Sequence, residues 1–591
     1  MKTPIGIFLF IFSILLNLYS FLIHGHNDFL NTTQISFIAT LIWIVSVLVF
    51  GFSIFVLYPD KNKLNLSDDF NLKEKILMTL IFTIALFLRL YKIDHQGLYL
   101  DEWYWLTNAR SILDGKINSP FGFIGDQPSN MPAYFVAFLL LIVRDNYLAV
   151  RFASLSYSLL TILLLMYFLK DAFNKKIALI SMLLISISVW DIHMSRIGWS
   201  NVNINPFLIS GSIFFLYRGL KQYSKRSIFI AGVFLGISIN LLYIASLGVI
   251  AAALYFLYHF FFDKKKRTIL SLFFLFVLST FIVSSPTFVK IYRYPRLSIQ
   301  RHKNFFSENV TLSKNQGGIK YYIIQLQLAL KDFNFSKAKY TIIGLWGITI
   351  EPIVIISMLI GILYILRFIY KPQHILMFLF FMIMFIPIVI LNRFSSIWRE
   401  YGFLPTIYGF AAIGANAIIL KSSQLTDNVI FLFSKKRFAY LQKLYLTIFV
   451  VILMISFIYY FSRYYQNLLK NEPDIYETYC KKTARYISAT FPKSTLILLP
   501  NELCNNLISA VLSKEYPTDQ YESYNDIRKH SPKNVVIVRI ADSGYTNKFI
   551  KQNPSPIFEE NIKNFFMLNR RISITGNNDK IYAILYEGKV N

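Results

Sequence analysis

The stretch that decides the fold is "ILMTLIFTIALFLRLYK" at 76–92, followed four residues later by "GLYLDEWYW" at 97–105. Its first part is a run of mostly apolar residues that favours a helix inside a membrane. Its second part places two adjacent acids, Asp101 and Glu102, among aromatic side chains. The pattern therefore predicts a membrane span whose mouth carries two carboxylates.

The composition of the whole chain agrees with this prediction. Of its 591 residues, 55% are hydrophobic, the mean hydropathy is +0.48 and the net charge is +28. A soluble protein of this length would be far less apolar, so the chain is predicted to be a polytopic membrane protein. The positive charge is explained by basic residues retained on the cytoplasmic side next to anionic lipid, and no nucleic-acid partner is expected.

Apolar runs predict about thirteen spans, near 5–23, 34–57, 74–90, 147–169, 176–192, 204–219, 227–243, 245–262, 268–286, 350–369, 373–391, 402–420 and 444–463. The first run lacks a clear cleavage site and is interpreted as a retained span. Lysines concentrate in alternate short loops, such as "DKKKR" at 263–267 and "SKKR" at 434–437. The positive-inside rule therefore predicts a multi-pass plasma-membrane protein with a cytoplasmic N-terminus and an extracytoplasmic C-terminus.

The chain divides into three predicted parts. Residues 1–73 form two extra N-terminal spans and a cytoplasmic loop, and 74–465 form a membrane core with outer loops 91–146 and 287–349. The apolar run 130–143 is short for a span and is predicted to be a surface or re-entrant helix on the outer side. Residues 466–591 alternate predicted strands (494–500, 535–540, 580–588) with predicted helices (475–491, 505–516). This order predicts a small extracytoplasmic α/β domain.

The two cysteines, Cys480 and Cys504, both fall in this last part. An extracytoplasmic location would permit a disulfide, and two unpaired buried thiols are an equal alternative. There is no CxxC and no His/Cys cluster, so no structural zinc site is expected.

The acid pair supports two interpretations. Acids in the first turn of a helix are favourable to its dipole, and Asp101 and Glu102 could serve only that purpose. The neighbours, however, include Trp103, Tyr104 and Trp105. Apolar and aromatic surroundings desolvate a carboxylate and raise its pKa, which suits a general base. Adjacent positions point in different directions on a helix, so one acid alone need face a substrate, and Asp101 is favoured.

Three further segments that are predicted to lie outside are rich in polar and charged side chains. "HMSRIGWSNVNINP" at 193–206 carries His193, Arg196 and Trp199, and its arginine could pair with Asp101, hold a phosphate or anchor the membrane surface. "LNRFSSIWREYGFLP" at 391–405 carries Arg393, Arg399 and Tyr401, with snorkelling of the arginines as the alternative to phosphate binding. "KIYRYPRLSIQRHKNFF" at 290–306 interleaves basic and aromatic residues, as expected for a headgroup-binding helix or a solvated loop.

Absent motifs narrow the function classes. The chain has no GxxxxGK[ST], no GxSxG and no HExxH, which argues against an ATP-driven pump core, an α/β-hydrolase nucleophile and a zincin. The predicted spans lack a mid-membrane row of acids or histidines of the kind that relays protons. The polar residues instead cluster at the predicted outer ends of the spans, where a membrane-embedded donor would meet an extracytoplasmic acceptor.

This layout resembles the multi-spanning GT-C glycosyltransferases, specifically the glycosyltransferase family 39 group with its protein O-mannosyltransferases, and is similar to the aminoarabinose transferase of lipid A. The resemblance covers roughly 74–420 and rests on "YLDEWYWLTNARSILDGK" at 99–116, "DQPSNMPAYF" at 126–135, "SRIGW" at 195–199 and the late Arg399. It implies a sugar donor carried on a polyprenyl phosphate and an inverting displacement onto an acceptor hydroxyl.

Carried over to matching positions, the resemblance implies Asp101 as the catalytic base or the acid that orients the acceptor, and Glu102 as its partner. Donor-phosphate binding is expected from Arg399, Arg196 and Arg393. Acceptor or sugar contacts are expected from the set Trp103, Tyr104, His193, Trp199 and Tyr401. No cofactor is expected, since the leaving phosphate needs none and the second outer loop has asparagines where metal-dependent relatives have acids.

Two other functions fit the same layout. One is a transporter or flippase for a lipid-linked glycan, which would tolerate Asp101→Asn. The other is a glycan polymerase or ligase that uses diphosphate-linked donors, to which the outer segment 287–349 would contribute. The acceptor could be protein, lipid or cell-wall glycan.

Overall fold

The computed structural model describes most of the chain. The described residues are 2–26, 34–59, 70–93, 100–116, 129–143, 145–241, 246–293, 318–334, 350–391, 401–429, 435–470, 478–500, 512, 517–521, 523–529, 534–540, 555–564, 566–575 and 581–590. The segment that carries Arg393 and Arg399, most of 290–317 and the side chains of both cysteines lie outside this set.

Helices dominate the first 490 residues, and each of the predicted spans falls on at least one of them. Their bounds are α1 Lys2–His26, α2 Gln34–Leu57, α3 Leu72–Leu90, α4 Leu100–Leu113, α5 Met131–Val143, α6 Asn146–Ala172, α7 Lys175–Ser186, α8 Val189–Arg196, α9 Ser200–Asn203, α10 Asn205–Gln222, α11 Lys225–Leu241, α12 Gly248–Phe262, α13 Lys266–Arg293, α14 Ile319–Asn334, α15 Pro352–Arg367, α16 Pro372–Leu391, α17 Leu404–Val429, α18 Lys435–Lys470 and α19 Thr478–Thr490.

Six helices of the described residues are long and apolar enough to cross a membrane, or seven if the bent pair α7 and α8 counts as one. The larger count of about thirteen spans, and the side of the membrane on which each terminus lies, stay predictions. The predicted span 176–192 falls on the bent pair α7 and α8, whose axes differ by 57°.

The N-terminal pair α1 and α2 packs on α13 at a proline. Pro286 lies inside α13 and has no N–H, so the carbonyl of Ile282 loses its helical donor. Asn17 Nδ2 and Trp43 Nε1 donate to that carbonyl at 3.1 and 3.0 Å. Ser285 Oγ of the same helix also donates to this carbonyl at 3.0 Å, so the two extra helices share in satisfying the backbone group that loses its helical donor.

Helices α15 and α17 approach closely through small residues. A Cβ on Gly361 would lie 1.9 Å from the carbonyl oxygen of Phe410, and one on Gly414 would lie 1.8 Å from that of Ser357. Only glycine allows two backbones to come this near, a packing mode common between membrane helices.

The C-terminal part is a five-stranded sheet of order β2-β1-β3-β5-β4 with helices on both faces. The remaining bounds are β1 Leu496–Pro500, β2 Thr518–Tyr521, α20 Tyr524–Arg528, β3 Asn534–Ile540, α21 Ser555–Lys563, β4 Phe566–Thr575 and β5 Ile581–Val590. Strand β1 is parallel to β2 and β3, whereas β5 is antiparallel to β3 and β4. The α/β character and the strands predicted at 494–500, 535–540 and 580–588 are confirmed.

The two faces of the sheet belong to different apolar clusters, because side chains alternate along a strand. Leu498 and Ile537 share one cluster with α20 and α21. Ile497 and Val536 share the other with α19, and that cluster continues through Leu106 of α4 into α5 and α6. The sheet domain is thus joined by one apolar cluster to the helix that begins with the acid pair.

Candidate functional site

Glu102 anchors the start of α4 to two other parts of the chain. It is fully buried, and its Oε1 lies 3.0 Å from Arg151 Nε of α6. The same oxygen accepts a hydrogen bond of 2.6 Å from the backbone N–H of Gly198. A buried charge needs such a partner, and these contacts fix where α4 begins. The geometry gives Glu102 a holding role next to the predicted base.

Asp101 is the free acid of the pair. It is half-buried, and within the part of the chain that the structure describes its carboxylate has neither a hydrogen-bond nor an ion-pair partner. Burial first, and the negative charge of Glu102 second, raise the pKa of Asp101 to about 6. A carboxylate with a pKa near neutrality is suited to take a proton from a hydroxyl. The alternative of an Asp101–Arg196 ion pair is not seen among the described residues.

The aromatic side chains after the acids divide between surface and core. Trp103 and Tyr104 are half-buried, and the ring of Tyr104 meets that of Trp105 edge-on at 5.1 Å. Trp105 is buried and donates from Nε1 to Asn201 Oδ1 at 3.2 Å. Trp103 and Tyr104 therefore stay candidates for contact with a bound sugar.

The asparagines of segment 193–206 have structural partners. Asn203 donates to Ser154 Oγ at 2.9 Å and to the carbonyls of Met194 and Ile197 at 2.8 and 2.6 Å. Asn205 donates to the backbone of its own turn, including the carbonyl of Asn201 at 3.0 Å. These amides hold the chain between α8 and α10 in shape.

Arg196 is a buried cation and the last residue of α8. It lies two residues before Gly198, which donates to Glu102. It is 5% exposed, its Nη2 donates to the carbonyl of Lys92 at 2.9 Å, and its guanidinium lies 5.5 Å from the ring centre of Tyr465 on α18. Its Nη1 is buried and has no hydrogen-bond partner among the described residues. An arginine with a donor left over in a buried place is suited to bind an anion such as a phosphate.

One short segment after α3 connects the acid pair to this arginine. Arg196 donates to the carbonyl of Lys92, and Arg151, the partner of Glu102, donates to the carbonyl of Ile93. Lys92 adopts a left-handed backbone with φ of 49°, which is uncommon outside glycine and directs its carbonyl toward the arginine. Segment 91–93 therefore contacts both Arg196 and the Arg151 of the Glu102–Arg151 pair, and Asp101 is the chain neighbour of Glu102.

Three residues predicted to bind acceptor or sugar are buried. His193 Nδ1 lies 2.9 Å from the hydroxyl of Tyr464, Trp199 is 9% exposed, and Tyr401 donates its hydroxyl to Asp191. The contacts of His193 and Tyr401 are with the protein, so sugar binding by this set stays a prediction.

A second buried ion pair was missed from the sequence. Asp191 of α8 accepts from Arg89 of α3, from Ser158 Oγ at 2.7 Å and from Tyr401. Both charged side chains are fully buried. Arg89 interrupts the apolar run 76–92, and an arginine at membrane depth is expensive unless paired, so the sequence did carry a signal for a partner.

No group of three or more His, Cys, Asp or Glu side chains that could hold a metal ion occurs among the described residues. The expectation of a metal-free site stays a prediction.

Part of the chain matches a known protein family. The family model for dolichyl-phosphate-mannose-protein mannosyltransferase matches residues 126–287, a range that includes α8 and Arg196 but not Asp101. A search of curated proteins finds no match.

Among solved structures, the chain is similar to ArnT from Cupriavidus metallidurans bound to undecaprenyl phosphate, with a TM-score of 0.50 and 10% identity over 86% of this chain and 97% of that one. It also matches the archaeal oligosaccharyltransferase AglB from Archaeoglobus fulgidus, in complex with an inhibitory peptide and a dolichol-phosphate, with a TM-score of 0.46 and 12% identity over 76% of this chain. The match spans 64% of that oligosaccharyltransferase chain. The ArnT likeness shows that the fold is the GT-C fold, and with the family match it confirms the resemblance predicted from the sequence.

Proposed function

We propose that the protein is a glycosyltransferase that moves a sugar from a polyprenyl-phosphate donor to the hydroxyl of an extracytoplasmic acceptor. The observation that carries the proposal is that segment 91–93 links Arg196, which has an unused donor, to the partner of Glu102, the residue next to the free Asp101 carboxylate. ArnT was solved with undecaprenyl phosphate, and the matching family is named for a dolichyl-phosphate donor. These names support a lipid-linked phosphate as the group that Arg196 binds.

The proposed reaction is one displacement. The acceptor hydroxyl gives its proton to the carboxylate of Asp101 as the acceptor oxygen bonds to the anomeric carbon. The bond between that carbon and the phosphate oxygen breaks, and its electron pair leaves with the polyprenyl phosphate. Attack opposite to the leaving group inverts the anomeric configuration.

In this scheme Arg196 stabilises the leaving group. Charge accumulates on the phosphate oxygen as the bond breaks, and a fixed cation in a buried place stabilises that charge more strongly than water would. The Nη1 donor of Arg196 has no partner among the described residues, so it can bind the phosphate without breaking a contact. Arg393 and Arg399 stay predictions for the same role, because both lie outside the described residues.

The contacts of Glu102 hold the residues of the site in place, so the site needs no large rearrangement when substrate binds. Glu102 is bonded to Arg151 and to Gly198, two residues beyond Arg196. The base and the phosphate-binding arginine are thus fixed relative to each other before substrate arrives, which lowers the cost of reaching the transition state.

The test uses the full-length protein in detergent with polyprenyl-phosphate sugars, beginning with dolichyl-phosphate mannose, and a mixture of envelope acceptors. Release of polyprenyl phosphate is measured, and the anomeric configuration of the product is read by NMR. We expect release with inversion that EDTA does not reduce. Absence of both turnover and donor binding would overturn the proposal, and retention of configuration would overturn the single displacement.

The same assay separates the transporter interpretation. A flippase would move labelled donor between the leaflets of a liposome without releasing polyprenyl phosphate, and Asp101→Asn would leave that movement intact. Turnover of a diphosphate-linked donor alone would instead support a polymerase or ligase.

A further inference from the structure

The break between α7 and α8 leaves backbone groups without helical partners. The two helices differ in direction by 57°, with Ile187 and Ser188 between them. Leu183 and Ile185 still accept backbone hydrogen bonds from Ile187 and Ser188, but the carbonyl of Ser186 and the N–H of Val189 do not bond along the chain as in a continuous helix. Ile187 and Ser188 are buried, so the backbone groups at the bend must find partners inside the protein.

Arg89 supplies a partner for the Ser186 carbonyl and a second donor for that of Ile185. Its Nη1 donates to the carbonyl of Ser186 at 2.9 Å, and its Nη2 donates to that of Ile185 at 3.1 Å. The side chain is fully buried. A cation at a helix C-terminus is also favourable to the helix dipole.

Glu351 supplies a partner on the amide side. It directly precedes α15, is 4% exposed, and accepts a hydrogen bond of 3.1 Å at Oε1 from the backbone N–H of Val189. Ser188 Oγ accepts from the N–H of Asp191 at 3.2 Å, and Tyr408 donates to the same Oγ. The carboxylate of Glu351 thus lies at the positive end of the α8 dipole.

The ion pair of Arg89 and Asp191 spans the break and joins the two sides. Side chains from α3, from α17 and from the residue that precedes α15 therefore contact one bend. A bend held by buried polar groups from several helices has one preferred angle.

The angle of the bend matters because it sets the position of Arg196 at the other end of α8. Seven residues of rise separate Val189 from Arg196, which is about 10 Å along the helix axis. Straightening the 57° bend would move the far end of α8 by about 10 Å. Arg196 would then leave both Lys92 and Tyr465.

We propose that Glu351 is a positioning residue, which holds α8 at its bend so that Nη1 of Arg196 is presented to the phosphate of a lipid-linked donor. The inference rests on the proposed function, because it assigns the ligand of Arg196 to a polyprenyl phosphate. The inference gives a role in donor binding to Glu351, whose Oε2 is buried and has no hydrogen-bond partner among the described residues.

The test measures binding of undecaprenyl phosphate to the purified full-length protein in detergent, with four variants. Glu351→Leu removes the acceptor for Val189, whereas Glu351→Gln keeps an acceptor oxygen at the same place. Arg196→Ala and the double variant Glu351→Leu with Arg196→Ala complete a cycle. Thermal unfolding checks that each variant is folded.

We expect Arg196→Ala to weaken binding at least about tenfold, as loss of a charged hydrogen bond does. Glu351→Leu should weaken it by a similar factor, Glu351→Gln should restore most of the affinity, and the double variant should bind no worse than Arg196→Ala alone. Such non-additivity shows that Glu351 acts through Arg196, which a general packing role would not produce.

Other results overturn the inference in distinguishable ways. Additive losses in the double variant, or wild-type affinity in Glu351→Leu, would refute the positioning role and leave the proposed function standing. If Glu351→Leu does not fold, a Glu351→Gln variant that binds as poorly as Arg196→Ala would refute it equally. Absence of undecaprenyl phosphate binding by the unmodified protein would refute the proposed function, and the inference with it.

Discussion

The raised pKa of Asp101 predicts a specific pH dependence of turnover. With a pKa of about 6, about a tenth of the Asp101 side chains are ionised at pH 5 and about nine tenths at pH 7. Because only the ionised form can accept a proton, kcat/KM should rise about tenfold between these values. Asp101→Asn should remove the rise and lower kcat/KM by about 10²–10⁴-fold, the usual contribution of a positioned base.

Stability should change in the opposite direction to activity. The ordinary pKa of the carboxyl is 3.8, so between that value and about 6 the folded protein binds more protons than the unfolded chain. Stability contributed by this group is therefore greatest at low pH and falls as the pH rises through this window. At pH 7 the melting temperature of Asp101→Asn should equal or exceed that of the unmodified protein, because the substitution removes an ionised carboxylate from a half-buried place.

The assay is release of polyprenyl phosphate between pH 4.5 and 8, with thermal unfolding followed on the same samples. Asp114→Asn is the matched control, since Asp114 follows the same helix and is exposed beside Lys116. It should keep both the rate and the pH profile. A profile that is flat between pH 5 and 7, or an Asp101→Asn variant that loses activity only because it unfolds, would refute the reasoning.

Two further predictions concern contacts that hold the fold. Glu102→Gln and Arg151→Met should each lower the free energy of unfolding by about 3–5 kcal/mol, because each leaves a buried charge unpaired. The double variant should lose less than the sum of the two. Additive losses in a denaturation series would contradict the pairing. Asn17→Ala and Trp43→Phe should each cost about 1 kcal/mol by removing a donor to the carbonyl that Pro286 leaves free, and unchanged unfolding temperatures for both would argue against docking of α1 and α2 at that carbonyl.

Much of the architecture could be predicted from local patterns. Apolar runs of sufficient length located the helices, since a membrane span is defined by its own hydropathy. Short apolar runs located three strands of the C-terminal sheet, which are apolar on both faces because each face packs in an apolar cluster. The bend at Ile187 and Ser188 was not predicted, since it depends on Arg89 and Glu351 from distant helices.

The sequence by itself determined that two adjacent acids follow an apolar run and lie among aromatic residues, and that Arg196 follows in a later segment rich in polar residues. Only the tertiary structure decided which acid is free. Arg151 and Gly198, which bond Glu102, lie 49 and 96 residues away from it, and Asp191 lies 102 residues from Arg89. Partner choice of this kind is set by how distant helices pack, because a buried charge takes whichever complementary group the fold brings within hydrogen-bond distance. Asp101 has no such partner among the described residues, and this leaves its carboxylate available for chemistry.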